Sequence, residues 1–187
     1  MQRVAIVFHT VTGNTAQVAE AVSEGVAQAG AEPVWLALQG SDVVEGRYVN
    51  QEVLRAVDSS TAVIFGAPTF MGGPSAQFKA FADASSDRWE DQLWRNKFAA
   101  GFTTGTAPNG DQVSTLQYFT ILAAQHGMLW VGIDKPAGVD PNAPNTVGVQ
   151  LGFAAAVNSG RVAERDLRTA KYLGARVGQF TSLERRS

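Results

Sequence analysis

Short, unbroken apolar runs alternate along the chain with segments of helical periodicity. Apolar runs without an alternating polar position are typical of strands that are covered on both faces of a sheet. The runs occupy residues 4–8, 62–65, 98–102 and 128–131, with a fifth candidate at 33–38. Because Pro33 cannot donate a hydrogen bond to a neighbouring strand, the fifth run predicts a strand that begins at this residue or lies at an edge.

Between these runs, apolar residues recur every three to four positions, as on the buried face of a helix. The helical patterns are carried by Val18, Val22, Val26 and Ala29, by Val53, Leu54 and Val57, by Phe78, Phe81 and Ala82, by Val113, Leu116, Leu122 and Ala123, and by Leu167, Ala170, Leu173, Val177 and Phe180. Strands that alternate with helices predict right-handed crossovers and a parallel sheet with helices on both faces. We expect one domain that spans residues 1–187.

Sheets of this kind bind ligands beyond the carboxyl ends of their strands. This rule selects three segments, residues 9–15, 67–74 and 103–110. A fourth segment, from Lys135 to Asn145, contains three prolines and predicts a long loop. The length of that loop points to a function or a subunit contact.

Composition narrows the classes of function. The formal net charge is −2 and no basic run is present, so we do not expect a nucleic-acid partner. No apolar stretch approaches the length of about 18 residues that a membrane span needs. The chain has no cysteine and two histidines, so we expect no metal site. A cysteine-free chain without a membrane span suits the cytoplasm, where we expect this protein to reside.

The segment after the first predicted strand has the chemistry of an anion site. Residues Thr10-Val11-Thr12-Gly13-Asn14-Thr15 place three hydroxyls, a glycine and an amide at the start of a predicted helix. The backbone N–H groups there are unpaired and the helix dipole is positive, so a phosphate is bound without Lys or Arg. Neither the P-loop pattern nor the Gly-x-Gly-x-x-Gly dinucleotide pattern is present. The alternative is that Thr10 or Thr12 only caps the helix.

This segment resembles the FMN-phosphate loop of flavodoxin-like proteins. The residues from Phe65 to Phe81, with Pro68-Thr69-Phe70-Met71-Gly72-Gly73 at their centre, are similar to the second flavin loop of the WrbA-type NAD(P)H:quinone oxidoreductases, once called tryptophan-repressor-binding proteins. Phe102-Thr103-Thr104-Gly105-Thr106 and Gln125-His126-Gly127-Met128 continue the match. The resemblance implies a flavodoxin-like fold, in which a doubly wound sheet of five parallel strands has the order 2-1-3-4-5.

The same resemblance implies an FMN that is held without covalent bonds. Its phosphate is expected against residues 10–15, and its ring against residues 68–73 and 103–110. The cofactor-binding residues expected on this basis are Thr10, Val11, Thr12, Gly13, Asn14, Thr15, Pro68, Thr69, Phe70, Met71, Gly72, Gly73, Thr103, Thr104, Gly105, Thr106, Asn109 and Gly110. Glycines in the second and third loops let the backbone approach the ring closely, or they form ordinary tight turns.

The implied activity is the transfer of two electrons from NADH or NADPH to a quinone by a ping-pong mechanism. The implied assembly is a homo-oligomer, a dimer or a tetramer, in which a neighbouring subunit helps to enclose the site. Trp89 matches an aromatic wall over the ring, and His126 matches a histidine near the flavin that helps to bind or protonate the quinone. The alternative for His126 is a cap at a helix C-terminus. His9 faces either the anion or a neighbouring helix.

Three features depart from the family pattern. Phe70 stands where the family commonly has an arginine after Pro-Thr, which puts contacts to the nucleotide in question. The third loop has fewer glycines and an extra residue, and residues 39–51 are shorter than the family's insertion. Two alternatives therefore stay open, a single-electron carrier of the flavodoxin type and an FMN-binding interaction protein with weak reductase activity. The charge of −2 argues against the carrier, because strong acidity usually steers its docking.

Overall fold

The computed structural model describes residues 1–107, 110–138, 140, 143–157 and 160–182. Asn109, one of the expected cofactor-binding residues, lies outside the described residues, as do parts of the predicted loop at 135–145. The strands are β1 (Arg3–Phe8), β2 (Glu32–Ala37), β3 (Val43–Val44), β4 (Arg47–Tyr48), β5 (Ala62–Phe70), β6 (Gly73–Pro74), β7 (Phe98–Gly105), β8 (Leu129–Trp130) and β9 (Phe153–Ala156). The helices are α1 (Asn14–Gln28), α2 (Gln51–Asp58), α3 (Ala76–Ala84), α4 (Ser86–Glu90), α5 (Asp111–Gln125) and α6 (Glu164–Thr181).

The main sheet is parallel and has the strand order β2-β1-β5-β7-β8. Counted over the strands that the apolar runs predict, this is the expected order 2-1-3-4-5. β2 is an edge strand, which explains why it tolerates a proline. The N–H group of Glu32 donates to the Gln2 carbonyl at 2.8 Å, so the nitrogen of the next residue, Pro33, faces away from β1.

Two short strands share the fifth position of the sheet. β8 pairs with Phe98 and Ala99 at the start of β7, whereas β9 pairs with residues 102–105 at its end. The sequence predicted a single strand at 128–131, and β9 was not predicted. The return of the chain to the sheet at Phe153 places the residues after β9 at the carboxyl edge, beside the three predicted loops.

The helices cover both faces of the sheet, as predicted. α1 and α6 pack on one face, and α2, α3 and α5 pack on the other. Successive strand residues point to opposite faces, so Ile6 enters the core beneath α1 and Val7 enters the core beneath α2. Burial on both faces explains why the apolar runs have no polar alternation. Trp94 is fully buried, and its Nε1 donates to Asp58 Oδ1 at 2.7 Å.

The contact between α1 and α6 requires glycine on both helices. A methyl group on Gly174 would overlap the carbonyl oxygen of Val22, and one on Gly25 would overlap the carbonyl oxygen of Lys171. Both obstacles are helix backbone, which does not move aside cheaply in a close-packed interior. The two helices run parallel, so their first turns lie side by side at the carboxyl edge of the sheet.

Replacing Gly174 by alanine tests this contact. We expect Gly174→Ala to lower the free energy of unfolding of the apoprotein by about 2 kcal/mol, because overpacking outweighs the higher helix propensity of alanine. Urea denaturation followed by circular dichroism measures the change. Gly40→Ala is the matched control, since a methyl group there meets no atom within 4 Å, and its unfolding midpoint should stay unchanged. A Gly174→Ala protein as stable as wild type contradicts the proposed packing.

Candidate functional site

The three predicted loops meet at the carboxyl edge of the sheet, around two adjoining cavities. The strand order reverses between β1 and β5, and the loops after these strands diverge there, as ligand sites of such sheets require. The first cavity, called here the central cavity, has a volume of about 460 Å³ and is lined by Val11, Thr12, Asn14, Thr15, Pro68, Thr69, Phe70, Thr104, Gly105, Thr106, Val157 and Gly160. The adjoining cavity has about 500 Å³ and is lined by Thr69, Met71, Gly72, Gly105, Thr106, Ala107, Asp111 and Gln112.

Most of the residues that the sequence proposes for the cofactor line one of these cavities. Those that line neither are Thr10, Gly13, Gly73, Thr103 and Gly110. Thr103 is fully buried beneath the site, and its hydroxyl donates to the Ala67 carbonyl at 2.7 Å. The structure therefore brings the three loops together, but some of their side chains hold the loops in place and do not line a cavity.

The first turn of α1 is open to an anion. The helix begins behind Gly13, which has a φ of 85°, and no side chain caps it. Thr10 Oγ1 accepts from the Gly13 N–H at 3.2 Å, and Thr12 Oγ1 accepts from Asn14 Nδ2 at 2.9 Å, so neither threonine is the helix cap. The first turn also contains no acidic residue. Its amide groups and the positive end of the dipole are thus available to a phosphate.

Hydrogen bonds between threonine hydroxyls link the ends of β5 and β7 to each other and to α1 and α5. Thr15 and Thr104 are joined by a buried bond of 2.8 Å between their Oγ1 atoms. Thr69 Oγ1 lies 2.8 Å from both Thr103 Oγ1 and Thr115 Oγ1. Because the Thr103 proton is used on a backbone carbonyl, Thr69 donates to Thr103 and accepts from Thr115. This series of hydrogen bonds holds the second and third loops against α5.

The second loop is a tight hairpin whose tip is exposed. β5 and β6 pair through Phe70 and Gly73, and the two residues between them have positive φ angles, 48° at Met71 and 76° at Gly72. These angles fit a type I′ turn, in which a residue other than Gly or Asn is strained. Phe70 is 52% exposed and the Met71 side chain is fully exposed. The hairpin therefore presents apolar side chains at the entrance to the site.

His126 and Trp89 lie elsewhere in the chain. They line a separate cavity of about 300 Å³, here the His126 cavity, together with Ser85, Gln125 and other residues. His126 follows the last residue of α5, and that helix, which starts at the third loop, is about 22 Å long. Within one chain, the structure does not bring these two residues to the central cavity.

The imidazole of His126 is buried and neutral. Its Nε2 lies 2.9 Å from Ser85 Oγ, which itself donates to the Ala82 carbonyl at 2.7 Å. Ser85 therefore accepts from His126, and the proton of the ring is on Nε2. The Trp94 ring packs on the imidazole with centroids 4.3 Å apart. Burial lowers the pKa of His126 to about 4, so the ring carries no charge at neutral pH.

His9 contacts a neighbouring helix. Its Nδ1 lies 2.9 Å from Ser75 Oγ, in a buried contact at the start of α3. Burial lowers the pKa of His9 as well, so this ring adds no positive charge to the first loop. Of the two orientations that the sequence left open, the ring adopts the one toward the helix.

Several residues of the site were not predicted. Val157 and Gly160 come from the segment after β9, whose four residues are too short for a periodic signal. Gln112 lines the adjoining cavity from the first turn of α5, and its Nε2 donates to the Ala107 carbonyl. Its spacing from the third loop was visible in the sequence, but a lone glutamine carries no distinctive chemistry.

The described residues contain no helix that is both long enough and apolar enough to cross a bilayer. Over the same part of the chain, no group of three or more His, Asp or Glu side chains is arranged to hold a metal ion.

Comparison with known proteins identifies the family. The profile of the family described as NADPH-dependent FMN reductase matches residues 3–136. The chain is 32% identical to flavodoxin FldP of Pseudomonas aeruginosa (strain UCBPP-PA14), over 96% of this chain and 97% of that protein. It is 31% identical to an NAD(P)H dehydrogenase (quinone) of Archaeoglobus fulgidus, again over 96% of this chain and 97% of the relative.

A solved structure agrees with this result. The flavodoxin, WrbA-like protein from Agrobacterium tumefaciens superposes on the chain with a TM-score of 0.77 at 36% identity, and the match covers 98% of this chain and 99% of that one. The parallel sheet with helices on both faces is thus the flavodoxin-like fold. The chain belongs to the NADPH-dependent FMN reductase family as a WrbA-type member, and it is an FMN-dependent oxidoreductase.

Proposed function

We propose that the chain passes two electrons from NADH or NADPH to a quinone by a ping-pong mechanism, with FMN held non-covalently in the central cavity. The observation that carries this proposal is the uncapped, acid-free first turn of α1 at the edge of two adjoining cavities. Phosphate at this turn leaves the rest of the cofactor facing the second and third loops. Relatives named NAD(P)H dehydrogenase (quinone) support the choice of substrates.

The residues of the site fit FMN. The amides of the first turn and the hydroxyls of Thr12 and Thr15 would hold the phosphate, and the cavity walls at Pro68 and Gly105 would hold the ring. Gly105 lets the Gln112 side chain pack closely against this wall, because a methyl group on Gly105 would come within 3.1 Å of Gln112 Nε2. Both cavities have volumes in the range of small-molecule sites.

When bound, FMN supplies the electron-transfer chemistry, accepting a hydride from the nicotinamide nucleotide and reducing the quinone. The chain contributes binding, orientation and exclusion of water. Thr15, Thr69 and their hydroxyl partners hold the loops in one arrangement, which lowers the entropy cost of binding. In a ping-pong mechanism the two substrates would occupy the same region beside Phe70 in turn.

We further propose that the protein is a homo-oligomer, a dimer or a tetramer, in which the His126 cavity of one copy faces the central cavity of another. Exposed apolar side chains near that cavity support a subunit contact: Trp89 is 48% exposed and Ile121 is 61% exposed. A neutral His126 whose proton is held by Ser85 would not protonate the quinone. Its role there would be to pack against the substrate, with Trp89 as the aromatic wall. We place the reaction in the cytoplasm, which suits a cysteine-free chain.

A single-electron carrier is the second candidate, because one relative of 32% identity is named a flavodoxin. The net charge of −2 gives such a carrier little electrostatic steering toward a partner. An FMN-binding interaction protein is the third, since Phe70 offers no charge to a nucleotide phosphate.

Steady-state kinetics tests the proposed reaction. Purified protein that is saturated with FMN should oxidise NADH or NADPH when benzoquinone is added, and double-reciprocal plots at several quinone concentrations should be parallel. Absorbance at the nicotinamide band measures the rate, and FMN alone at the same concentration is the control.

The alternatives give different results. A carrier would show no turnover with either nucleotide, and dithionite would reduce its flavin in two separate one-electron steps. An interaction protein would bind FMN and would show only a slow rate. Intersecting double-reciprocal plots would contradict the ping-pong mechanism but would not contradict the assignment of the two substrates.

The neutral state of His126 is tested by the pH dependence of stability. The folded pKa of about 4 lies below the ordinary value of 6.5, so His126 favours the folded state above pH 6.5, and this contribution is lost as the pH falls toward 4. Between about pH 7 and pH 5 we expect wild type to lose about 2 kcal/mol more unfolding free energy than His126→Gln. Urea denaturation at both pH values measures the difference. Equal losses in the two proteins would show that His126 titrates normally.

A further inference from the structure

The start of α1 lies close to three described residues that follow β9, namely Val157, Gly160 and Val162. Val157 and Gly160 line the central cavity. The N–H group of Val162 donates to Gln17 Oε1 at 3.4 Å, and Gln17 Nε2 in turn donates to Asn14 Oδ1 at 3.4 Å. Arg161 lies between Gly160, which lines the cavity, and Val162, which is bonded to Gln17 on α1. Arg161 lines neither cavity, but its side chain is exposed and long enough that an extended conformation would reach an anion bound at the first turn of α1.

Among the described residues, Arg161 has no carboxylate partner. Its side chain is exposed, and over the described part of the chain no carboxylate oxygen lies within 4.0 Å of it. Neighbouring cations on the same side of the fold are already paired: Arg165 lies 3.7 Å from Asp166, and Lys171 lies 2.8 Å from Glu24. The parallel packing of α6 on α1 keeps Arg161 at the carboxyl edge, where the first turns of both helices lie.

A phosphate bound at the amides of α1 would bind more tightly with such a charge beside it. A phosphate monoester carries a charge of about −1.5 to −2 at neutral pH, while the first loop offers only hydroxyls, amides and part of a helix dipole. The three loops contain no Lys or Arg. Both histidines are neutral and bonded elsewhere. A guanidinium matches a phosphate because it donates two parallel N–H bonds.

We propose that Arg161 binds the phosphate monoester of the ligand in the central cavity and makes the site selective for phosphorylated over unphosphorylated flavin. This inference rests on the proposed function. The link from Val162 through Gln17 to Asn14 favours the phosphate of FMN over the 2′-phosphate of NADPH, which has the same chemistry. Arg161 acts on affinity and specificity and takes no part in electron transfer.

Titration of the apoprotein with FMN and with riboflavin tests the proposal, with quenching of flavin fluorescence as the readout. We expect Arg161→Gln to raise the Kd for FMN about tenfold, which corresponds to about 1.4 kcal/mol, and to leave the Kd for riboflavin unchanged. Arg161→Lys should retain part of the affinity, because lysine keeps the charge but cannot donate two parallel N–H bonds. Added salt should weaken FMN binding more in wild type than in Arg161→Gln, because the ion pair is exposed to solvent.

Arg55→Gln is the matched control. Arg55 is exposed on α2, on the opposite face of the sheet, and its replacement removes the same charge. Its Kd values for both flavins should equal those of wild type. A tenfold loss in this variant too would show that only net charge matters, which would overturn the assignment.

The remaining outcomes separate the sources of the phosphate. An unchanged Kd for FMN with a raised KM for NADPH, but not for NADH, would overturn the selectivity for phosphorylated flavin and would assign Arg161 to the 2′-phosphate of the nucleotide. Unchanged values for FMN and NADPH would overturn the proposal, and so would an equal loss of FMN and riboflavin affinity, which indicates a structural role. Failure of wild-type apoprotein to bind FMN would instead overturn the proposed function itself.

Discussion

The free amide groups at the first turn of α1 are the constraint on which the site depends. A helix start needs acceptors for its N–H groups, and most helices obtain them from a capping side chain or an acidic residue. This helix has a glycine with a φ of 85° at its cap and no acid in its first turn. The strand order β2-β1-β5 places that turn where the loops after β1 and β5 diverge, so that an anion can reach it.

The surrounding structure supports this turn before any ligand binds. The bond between Thr15 and Thr104 ties the first loop to the third, and the chain from Thr115 through Thr69 to Thr103 ties the second loop to the third. On the other side, glycines let α6 approach α1 closely, and the Val162 N–H group before α6 donates to Gln17 Oε1 on α1. Loops that are already ordered lose little conformational entropy when they bind a cofactor.

The order of the strands and the position of the three loops could be predicted from the sequence, because doubly buried strands and helix starts have strong local signals. The segment after β9 could not, since Phe153–Ala156 is short, rich in alanine and paired with a strand nearly 50 residues earlier in the chain. The resemblance of its motif placed His126 near the flavin. The length of α5 instead puts His126 at the end of the helix that is far from the third loop. Arg161 could not be predicted either, because its segment approaches α1 only in the folded chain and no local sequence pattern connects the two.

The affinity of an Asn14→Asp variant for FMN tests the central claim most directly. The substitution adds one negative charge at the proposed phosphate position and nearly preserves the shape of the side chain. FMN should bind at least about tenfold more weakly, while the apoprotein should be as stable as wild type or slightly more so, because an acid in the first turn of a helix contributes about 0.3–1 kcal/mol. An Asn14→Asp protein that binds FMN as tightly as wild type would show that the phosphate lies elsewhere.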